Sequence, residues 1–412
     1  MRHKPELLSP AGNLEKLQAA VSFGADAVYV GAGEFSLRAP QTSFDLVELK
    51  QGIEFAQRHK VKVYLAMNIF AFDEDFTGMM DYLEQAVPLG IDAVIISDPG
   101  LLALVHKKYP KLKIHLSTQA NTLNAEAVRF WQGQGVKRVV LGRELSLIQV
   151  KKIKQAVPKM EIELFVHGAM CMSYSGRCLL SKFMTDRSAN RGECSHPCRW
   201  QYQMKEMQRP DEEFSIEEDQ RGTYVMNSKD LCMIEHLPEL IEAGVDSFKI
   251  EGRMKSVYYV ALVTKIYREV IEGKREVESG KRELGNVSHR HYCTGFYLGD
   301  VDRENQGEDA TVRNYTFVGV VENHNLETKE LEIKARNYFA VGDELEIIDP
   351  AVKEIKSFKV EFVRRSGSQA VRQLGGQEIT EAHNQYHVFV QTNLEKVSKN
   401  SLLRRESSTV VQ

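Results

Sequence analysis

Four stretches of this chain share one form, in which a glycine is followed closely by a short apolar run. They read FGADAVYVG, LGIDAVIIS, QGVKRVVLG and AGVDSFKIEG. The glycine suits the end of a helix, and the apolar run after it has the length of a buried strand. Strands that alternate with helices in this way form βα units and a parallel sheet. The repeat therefore restricts the chain to the α/β class.

The number of strands decides between the two common α/β architectures. Eight apolar runs are predicted as strands, at residues 6–8, 27–30, 61–66, 93–96, 114–117, 138–141, 162–166 and 245–252. Eight parallel strands close a (β/α)8 barrel, whereas a doubly wound sheet more often shows a glycine fingerprint after its first strand. Here SPAGN follows the first strand, with no G-x-G-x-x-G. We therefore predict a TIM-like barrel.

Two segments depart from the barrel repeat. A long insertion follows strand seven, and we place its cysteine-rich part at residues 168–222. From about residue 312 the pattern changes to short alternating strands, such as TFVGVVENH and FKVEFVRR, which are typical of a small all-β barrel or sandwich. We predict a barrel domain at 1–275, a linker at 276–311 and a carboxy-terminal β-barrel domain at 312–400.

Cysteines are concentrated between strands seven and eight. Five of the six occur there: Cys171, Cys178, Cys194, Cys198 and Cys232. A packed thiol, a nucleophile, a disulfide and a metal ligand are the alternatives for each. The spacing lacks the C-x2-C pairs of structural zinc sites. Thiolates on irregular backbone with nearby glycines suit an iron–sulfur cluster, which takes four cysteine ligands, and spacing alone does not choose four of the five.

Polar side chains follow several predicted strands at their carboxyl ends, where barrel enzymes place their sites. As substrate-binding candidates we take Asn68, Gln119, Asn121, Arg143, Glu144, Arg191 and Arg253, and as catalytic candidates His167 and Glu251. Arginines, amides and carboxylates around one mouth suit an anionic, hydroxylated ligand. The alternatives are helix-start charges or rim ion pairs for Arg143–Glu144 and Glu251–Arg253, and a hydrogen-bonded structural role for His167.

The run ELFVHGAMCMSYSGRCLLS, residues 163–181, closely resembles the signature of the collagenase-like peptidases of unknown catalytic type (peptidase family U). The resemblance extends to NRGECSHPCRW, to NSKDLCMIEHLPELIEAGVDSFKIEGRMKS and to the β-rich tail. This family includes tRNA hydroxylation proteins, which form 5-hydroxyuridine at the wobble position, and relatives that bind a [4Fe–4S] cluster. The chain looks most like the tRNA hydroxylation branch.

The resemblance implies a ligand set and a co-substrate. Cys171, Cys178, Cys194 and Cys232 are the implied ligands of a [4Fe–4S] cluster, which leaves Cys198 as the spare. Prephenate is the implied hydroxyl source and tRNA the implied substrate. A partner subunit of the same family is a further expectation from that branch.

Bulk composition limits the setting in which the protein works. The formal net charge of -3 gives no basic footprint, so any contact with nucleic acid is expected to be local. Tyr174, Arg191, Arg199 and Trp200 are the candidates to stack on a splayed base. No run approaches the roughly 18 apolar residues of a membrane helix, and no secretory signal opens the chain. We expect a cytoplasmic protein that does not span a membrane.

Two other classes of function compete with RNA hydroxylation. A peptidase needs a nucleophile with a base or an open metal site, and neither G-x-S-x-G nor H-E-x-x-H occurs. Cys198 with His167 or His196 would be its remaining candidates. A noncatalytic RNA- or protein-binding module would explain the β-rich tail but not the concentration of thiols.

Overall fold

The chain divides into two compact units. One comprises Met1–Val21, Ala25–Ser256 and His289–Thr311, and the other Ser22–Gly24, Val257–Ser288 and Val312–Gln412. The computed structural model describes residues 4–37, 42–171, 173–200, 218–219, 222–223, 229–299, 314–365 and 377–407. None of the helices it describes is long and apolar enough to span a membrane.

The first unit contains a closed barrel of eight parallel strands. In chain order these are β1 (Glu6–Pro10), β2 (Ala27–Ala32), β3 (Lys62–Met67), β4 (Ala93–Ile96), β5 (Lys113–Leu116), β6 (Arg138–Val140), β7 (Glu161–Ala169) and β8 (Ser247–Ile250). Each strand pairs in parallel with the next, and β8 also pairs with β1, which closes the barrel. The predicted TIM-like fold is confirmed.

Helices connect successive strands of the barrel. The first six are α1 (Leu14–Ser22), α2 (Leu46–Arg58), α3 (Asp75–Ala86), α4 (Pro99–Lys108), α5 (Ala125–Gly133) and α6 (Leu147–Ala156). Several begin at a side-chain cap, because a helix start leaves backbone N–H groups without partners. Asp45 caps α2, Asn124 caps α5, and Ser146 forms a capping box with Gln149 at α6. These caps fix where each βα loop ends.

The insertion between β7 and β8 extends the sheet. The strand Asp230–Cys232 pairs antiparallel with the end of β7 and parallel with Tyr292–Cys293. Two short helices, α7 (Leu180–Thr185) and α8 (Leu237–Glu242), also belong to it. The cysteine-rich insertion after strand seven is confirmed as part of the fold.

The end of β7 requires a glycine. Gly168 has φ +109°, and a Cβ at this position would lie 2.6 Å from the Glu251 carbonyl oxygen and 2.9 Å from the Glu251 Cβ. Because glycine has no side chain, β7 and the residues after β8 can approach each other closely. The positive φ also turns the chain toward the cysteine-bearing segment.

Inside the barrel, the amino-terminal ends of the strands hold a network of paired charges. Arg138 donates to Glu163 Oε2 at 3.1 Å and to Glu6 Oε1 at 2.5 Å. The other Glu163 oxygen accepts from Lys249 Nζ at 2.8 Å, and the Tyr64 hydroxyl donates to Glu6 Oε2 at 2.8 Å. Each of these charges therefore contacts an opposite one, as burial requires.

The second unit combines two helices with an antiparallel sheet. The helices are α9 (Val257–Ile271) and α10 (Val277–Leu284). The sheet contains β9 (Tyr315–Asn325), β10 (Glu330–Ala335), β11 (Glu344–Ile348), β12 (Lys356–Lys359), β13 (Val363–Arg365), β14 (Gln377–Ile379), β15 (His387–Gln391) and β16 (Leu402–Glu406). Its spatial order is β12-β11-β16-β9-β10-β15-β13-β14, an antiparallel half-barrel, and this confirms the predicted all-β tail.

Candidate functional site

A cavity of about 180 Å³ lies where the barrel strands end. Much of its polar lining follows β3, β5, β6 and β8 in the chain. The sequence-predicted side chains among these are Asn68, Gln119, Arg143, Glu144, Glu251 and Arg253. Because the carboxyl ends of the strands meet at one face of a barrel, residues distant in sequence reach a single cavity.

Lys249 brings a buried positive charge to the cavity. This side chain lies on β8, lines the cavity and is 5% exposed. Its Nζ is 2.8 Å from Glu163 Oε1 and 4.6 Å from the centre of the Tyr29 ring. Burial lowers the pKa of Lys249, and the Glu163 carboxylate acts in the opposite direction. The ion pair joins the cavity to the charged network deeper in the barrel.

Arg143 and Arg253, which are predicted to bind an anion, differ in their burial and in the hydrogen bonds that they already make within the protein. Arg143 Nη1 donates to the Ala169 carbonyl at 2.8 Å, and its guanidinium carbon lies 3.9 Å from the centre of the Phe165 ring. Arg253 is buried and donates to Ser36 Oγ at 2.6 Å and to the Leu37 carbonyl. A guanidinium has five N–H donors. Arg143, which is half-buried, is therefore better placed than Arg253 to bind a ligand.

Glu144 and Asn68 hold the loops around the cavity. Glu144 accepts from the backbone N–H of Ser175 and, at 2.6 Å, from its hydroxyl. Asn68 Oδ1 accepts from the Leu37 N–H at 3.2 Å, and its Nδ2 donates to Ser117 Oγ at 3.2 Å. Both side chains line the cavity and at the same time position the segments that enclose it.

Four cysteines line this cavity: Cys171, Cys178, Cys194 and Cys198. Asn190 fixes the backbone of one of them, since it accepts from the Cys178 N–H at 3.2 Å and donates to the Cys178 carbonyl at 3.1 Å. Hydroxyls fix another segment, because the Ser195 N–H donates to Ser181 Oγ at 3.1 Å. All six cysteines of the chain lie in the described part, as thiols and not disulfides.

The thiols fit an iron–sulfur cluster by their chemistry. Four cysteine thiolates are the usual ligand set, and these four come from the irregular backbone after β7, with Cys198 in the 3-10 segment Pro197–Arg199. Among the described residues, no three Cys, His, Asp or Glu side chains converge closely enough to hold one metal ion. The cavity thus gathers the donors that a cluster requires without arranging them as a ligand cage.

Cys232 is placed differently from the other implied ligands. It is buried in the strand Asp230–Cys232, opposite His167 of β7, whereas the residues that line the cavity include Cys198. His167 is 1% exposed, and burial lowers its pKa to about 3, so its imidazole is neutral at neutral pH. The catalytic role of His167 and the ligand role of Cys232 both stay predictions.

Arg191 and Asn121 lie outside the cavity lining. The Arg191 guanidinium binds both carboxylate oxygens of Asp75, at 2.6 Å and 2.9 Å, and these hydrogen bonds lower the pKa of Asp75. Asn121 has φ +57° and closes the 3-10 turn Thr118–Ala120 after β5. Of the two amides predicted after this strand, only Gln119 reaches the cavity.

The residues proposed to stack on a base are also separated by the fold. Tyr174 lines the cavity and is 54% exposed, and Trp200 is 41% exposed. The Arg199 side chain lies outside the described residues. Among the candidates whose side chains are described, Tyr174 is therefore the one that lines the cavity.

Sequence reasoning did not select Lys249, Tyr29 or Phe165, which line the inner part of the cavity. Phe165 and Tyr29 read as ordinary core positions of buried strands. Lys249 could have been identified from the sequence, because the segment SFKIEG places a lysine in the middle of an apolar strand. A charge at such a position is paired or functional.

Nearly the whole chain matches proteins of one known family. Residues 12–307 match the model of Peptidase family U32, and residues 313–404 match that of the Peptidase family U32 C-terminal domain. The chain is 41% identical over 363 residues to tRNA hydroxylation protein P1 of Bacillus subtilis, which covers 85% of each chain.

Two further relatives carry different names. The chain is 35% identical over 397 residues to the Collagenase of Porphyromonas gingivalis, covering 91% of this chain and 94% of the relative. It is 32% identical over 380 residues to a 23S rRNA 5-hydroxycytidine synthase of Escherichia coli, covering 90% of this chain and 56% of the relative.

Proposed function

Because the chain belongs to peptidase family U32, we propose that it is a tRNA-modifying enzyme that forms 5-hydroxyuridine at the wobble position. The observation that carries the proposal is the gathering of four thiols and a polar rim on one cavity at the carboxyl ends of the barrel strands. Relatives whose names specify hydroxylation of tRNA and of rRNA support RNA as the substrate class.

The proposed cofactor is a [4Fe–4S] cluster held by Cys171, Cys178, Cys194 and Cys232, the set that the family resemblance implies. When bound, such a cluster supplies one-electron chemistry. Cys198 is the alternative fourth ligand, because it lines the cavity with the other three.

Prephenate is the proposed hydroxyl source, and the rim residues are its proposed partners. Arg143 would bind a carboxylate, since a guanidinium pairs with it through two N–H groups. Glu251, which also lines the cavity, and the neutral His167 are the proposed catalytic groups. Tyr174 would stack on the base, which a single-stranded anticodon loop presents without the breaking of a duplex.

Iron analysis tests the cofactor. Protein prepared without air should contain about four irons and four sulfides per chain. Alanine substitution of Cys171, Cys178 or Cys194 should remove most of the iron, because three thiolates hold such a cluster poorly. If Cys198→Ala loses iron and Cys232→Ala retains it, Cys198 is the fourth ligand; the reverse result supports Cys232.

Analysis of tRNA tests the reaction. Nucleosides of the 5-hydroxyuridine type should disappear or decline in tRNA from cells that lack this protein. Unchanged levels in the absence of any paralogue would contradict the proposal and favour the peptidase.

A peptidase remains the second candidate function, because a relative is named Collagenase and because Cys198 and His196 line the same cavity. Its test is hydrolysis of gelatin by the purified protein. Cleavage that Cys198→Ser abolishes would support it, and an absence of cleavage would leave hydroxylation alone.

A further inference from the structure

Gln119 presents an unusual combination of a fixed backbone and an unsatisfied side chain. Its Oε1 is buried and accepts no hydrogen bond from any residue that the structure describes. The side chain lines the cavity, and the residue is 7% exposed. Buried polar atoms in folded proteins nearly always have partners, so one without a partner in a cavity is satisfied by a water or by a ligand that enters the cavity.

The backbone of Gln119 is held from two sides. Its N–H donates to Ser117 Oγ at 3.4 Å, and its carbonyl accepts from Arg177 Nε and Nη2, each at 3.2 Å. The left-handed Asn121 closes the turn behind it. Arg177 directly precedes Cys178, so the same contact joins Gln119 to the cysteine-bearing segment. The amide is therefore positioned in advance of any ligand.

The cavity is large enough to take up a six-membered ring. Its volume of about 180 Å³ exceeds that of an engineered apolar cavity of about 150 Å³ that takes up benzene in another protein. Tyr29, Ile95, Phe165 and Phe296 supply rings and an aliphatic side chain to its lining. Such walls suit a flat ring held between them.

The chemistry of the amide selects the kind of ring. Oε1 is an acceptor and needs a donor. The carboxylates of an anionic co-substrate only accept and its hydroxyl offers a single donor, whereas the whole amide is matched by a donor and an acceptor side by side. The edge of a uracil base carries N3–H between two carbonyl oxygens. A primary amide matches this edge with two parallel hydrogen bonds, since Oε1 accepts from N3–H while Nε2 donates to a neighbouring carbonyl.

We propose that Gln119 binds the Watson–Crick edge of the uridine base in this cavity, through Oε1 to N3–H and Nε2 to a carbonyl oxygen. This rests on the proposed function and deepens it, because it assigns base recognition to one side chain. The co-substrate's carboxylates are left to the cationic side of the cavity, where Arg143 lies.

A substitution on each partner tests the contact. The probe is a synthetic anticodon stem–loop with uridine, or N3-methyluridine, at the wobble position. Wild-type protein should bind the uridine loop roughly tenfold or more tightly than the methylated loop, because methylation removes the donor. Gln119→Ala removes the acceptor and leaves room for the methyl group, so this variant should bind the two loops about equally.

Gln85→Ala provides the control. It removes the same side-chain amide from an exposed position on α3, outside the cavity lining. This variant should discriminate between the loops as the wild type does. Iron content and melting temperature of Gln119→Ala should match those of the wild type, which separates the contact from folding and from the cysteines.

Complementation separates failure of this inference from failure of the proposed function. In a strain that lacks the gene, the wild-type gene should restore 5-hydroxyuridine-type nucleosides, and Gln119→Ala should restore at most about a tenth as much. Full restoration by Gln119→Ala, or equal binding of both loops by the wild type, would overturn the inference while the proposed function stands. A wild-type gene that restores nothing would overturn both.

Discussion

The two ends of the barrel interior use polar side chains in opposite ways. Toward the amino-terminal ends of the strands, charges bind one another: Glu163 pairs with Arg138 there and, on its other side, with Lys249, which also lines the cavity. At the carboxyl ends, polar groups bind loops on one side and face a cavity on the other, as Arg143 does, and Gln119 keeps a buried acceptor unsatisfied within the described chain. The contrast indicates that the first end positions and stabilises the barrel, whereas the second holds the site.

The largest effect on stability is expected at the paired end. Glu163→Ala leaves Lys249 and Arg138 as buried charges without their shared carboxylate, which should cost about 3–5 kcal/mol of unfolding free energy. Denaturant titration measures it. The matched control is Lys151→Ala, which breaks the exposed Lys151–Glu242 pair and should cost less than about 1 kcal/mol. Equal costs for the two variants would contradict the proposed role of the network.

The next largest effect is expected where β7 turns toward the cavity. Gly168→Ala combines a strained φ with a clash against the Glu251 carbonyl, whereas Gly299, also at φ +109°, has open space at its Cβ. Gly299→Ala should cost about 1–2 kcal/mol from the backbone alone. Gly168→Ala should cost roughly 1–3 kcal/mol more, through overpacking. Similar melting temperatures for the two variants would show that the close approach of β7 is unimportant.

A smaller effect is expected from acidification. His115 of β5 is 2% exposed, and burial, followed by the charge of Arg138, lowers its pKa well below the usual value. As pH falls below about 6.5, the unfolded chain therefore binds a proton that the folded chain does not, and stability should decline by up to about 1.4 kcal/mol per pH unit. His115→Gln should reduce this slope between about pH 6 and 4. If the stability of His115→Gln declined with pH as steeply as that of the wild type, the decline would not come from His115.

The smallest effect on the fold is expected at the cavity rim. Arg143→Lys keeps a positive charge but loses the planar pair of donors, so the affinity for prephenate, the proposed co-substrate, should fall several-fold while iron content and melting temperature remain unchanged. Arg253→Lys should weaken binding as well, and it should also destabilise the protein, because Arg253 is buried and holds Ser36 and Leu37. Calorimetry with prephenate separates the two. Unaltered binding in both variants would return these arginines to the role of structural contacts.

The barrel was predictable because the sequence pattern that specifies it is local and repeated. Glycine-closed helices and apolar runs identified all eight strands, and residues such as Arg143 and Glu251 were found from their position after strands. Pairing across the barrel was not predictable, since Glu163 and Lys249 are far apart in sequence and each reads alone as an isolated charge in a strand. The strand Asp230–Cys232 was missed because it has three residues and no periodicity.

The cavity with its thiols is proposed to modify tRNA. The most direct test is mass spectrometry of tRNA nucleosides from a strain that lacks this gene and carries either the wild-type gene or Cys171→Ala, at equal protein levels. We predict that the wild type restores 5-hydroxyuridine-type nucleosides and that Cys171→Ala does not. Full restoration by Cys171→Ala would contradict the claim that the cavity thiols are required.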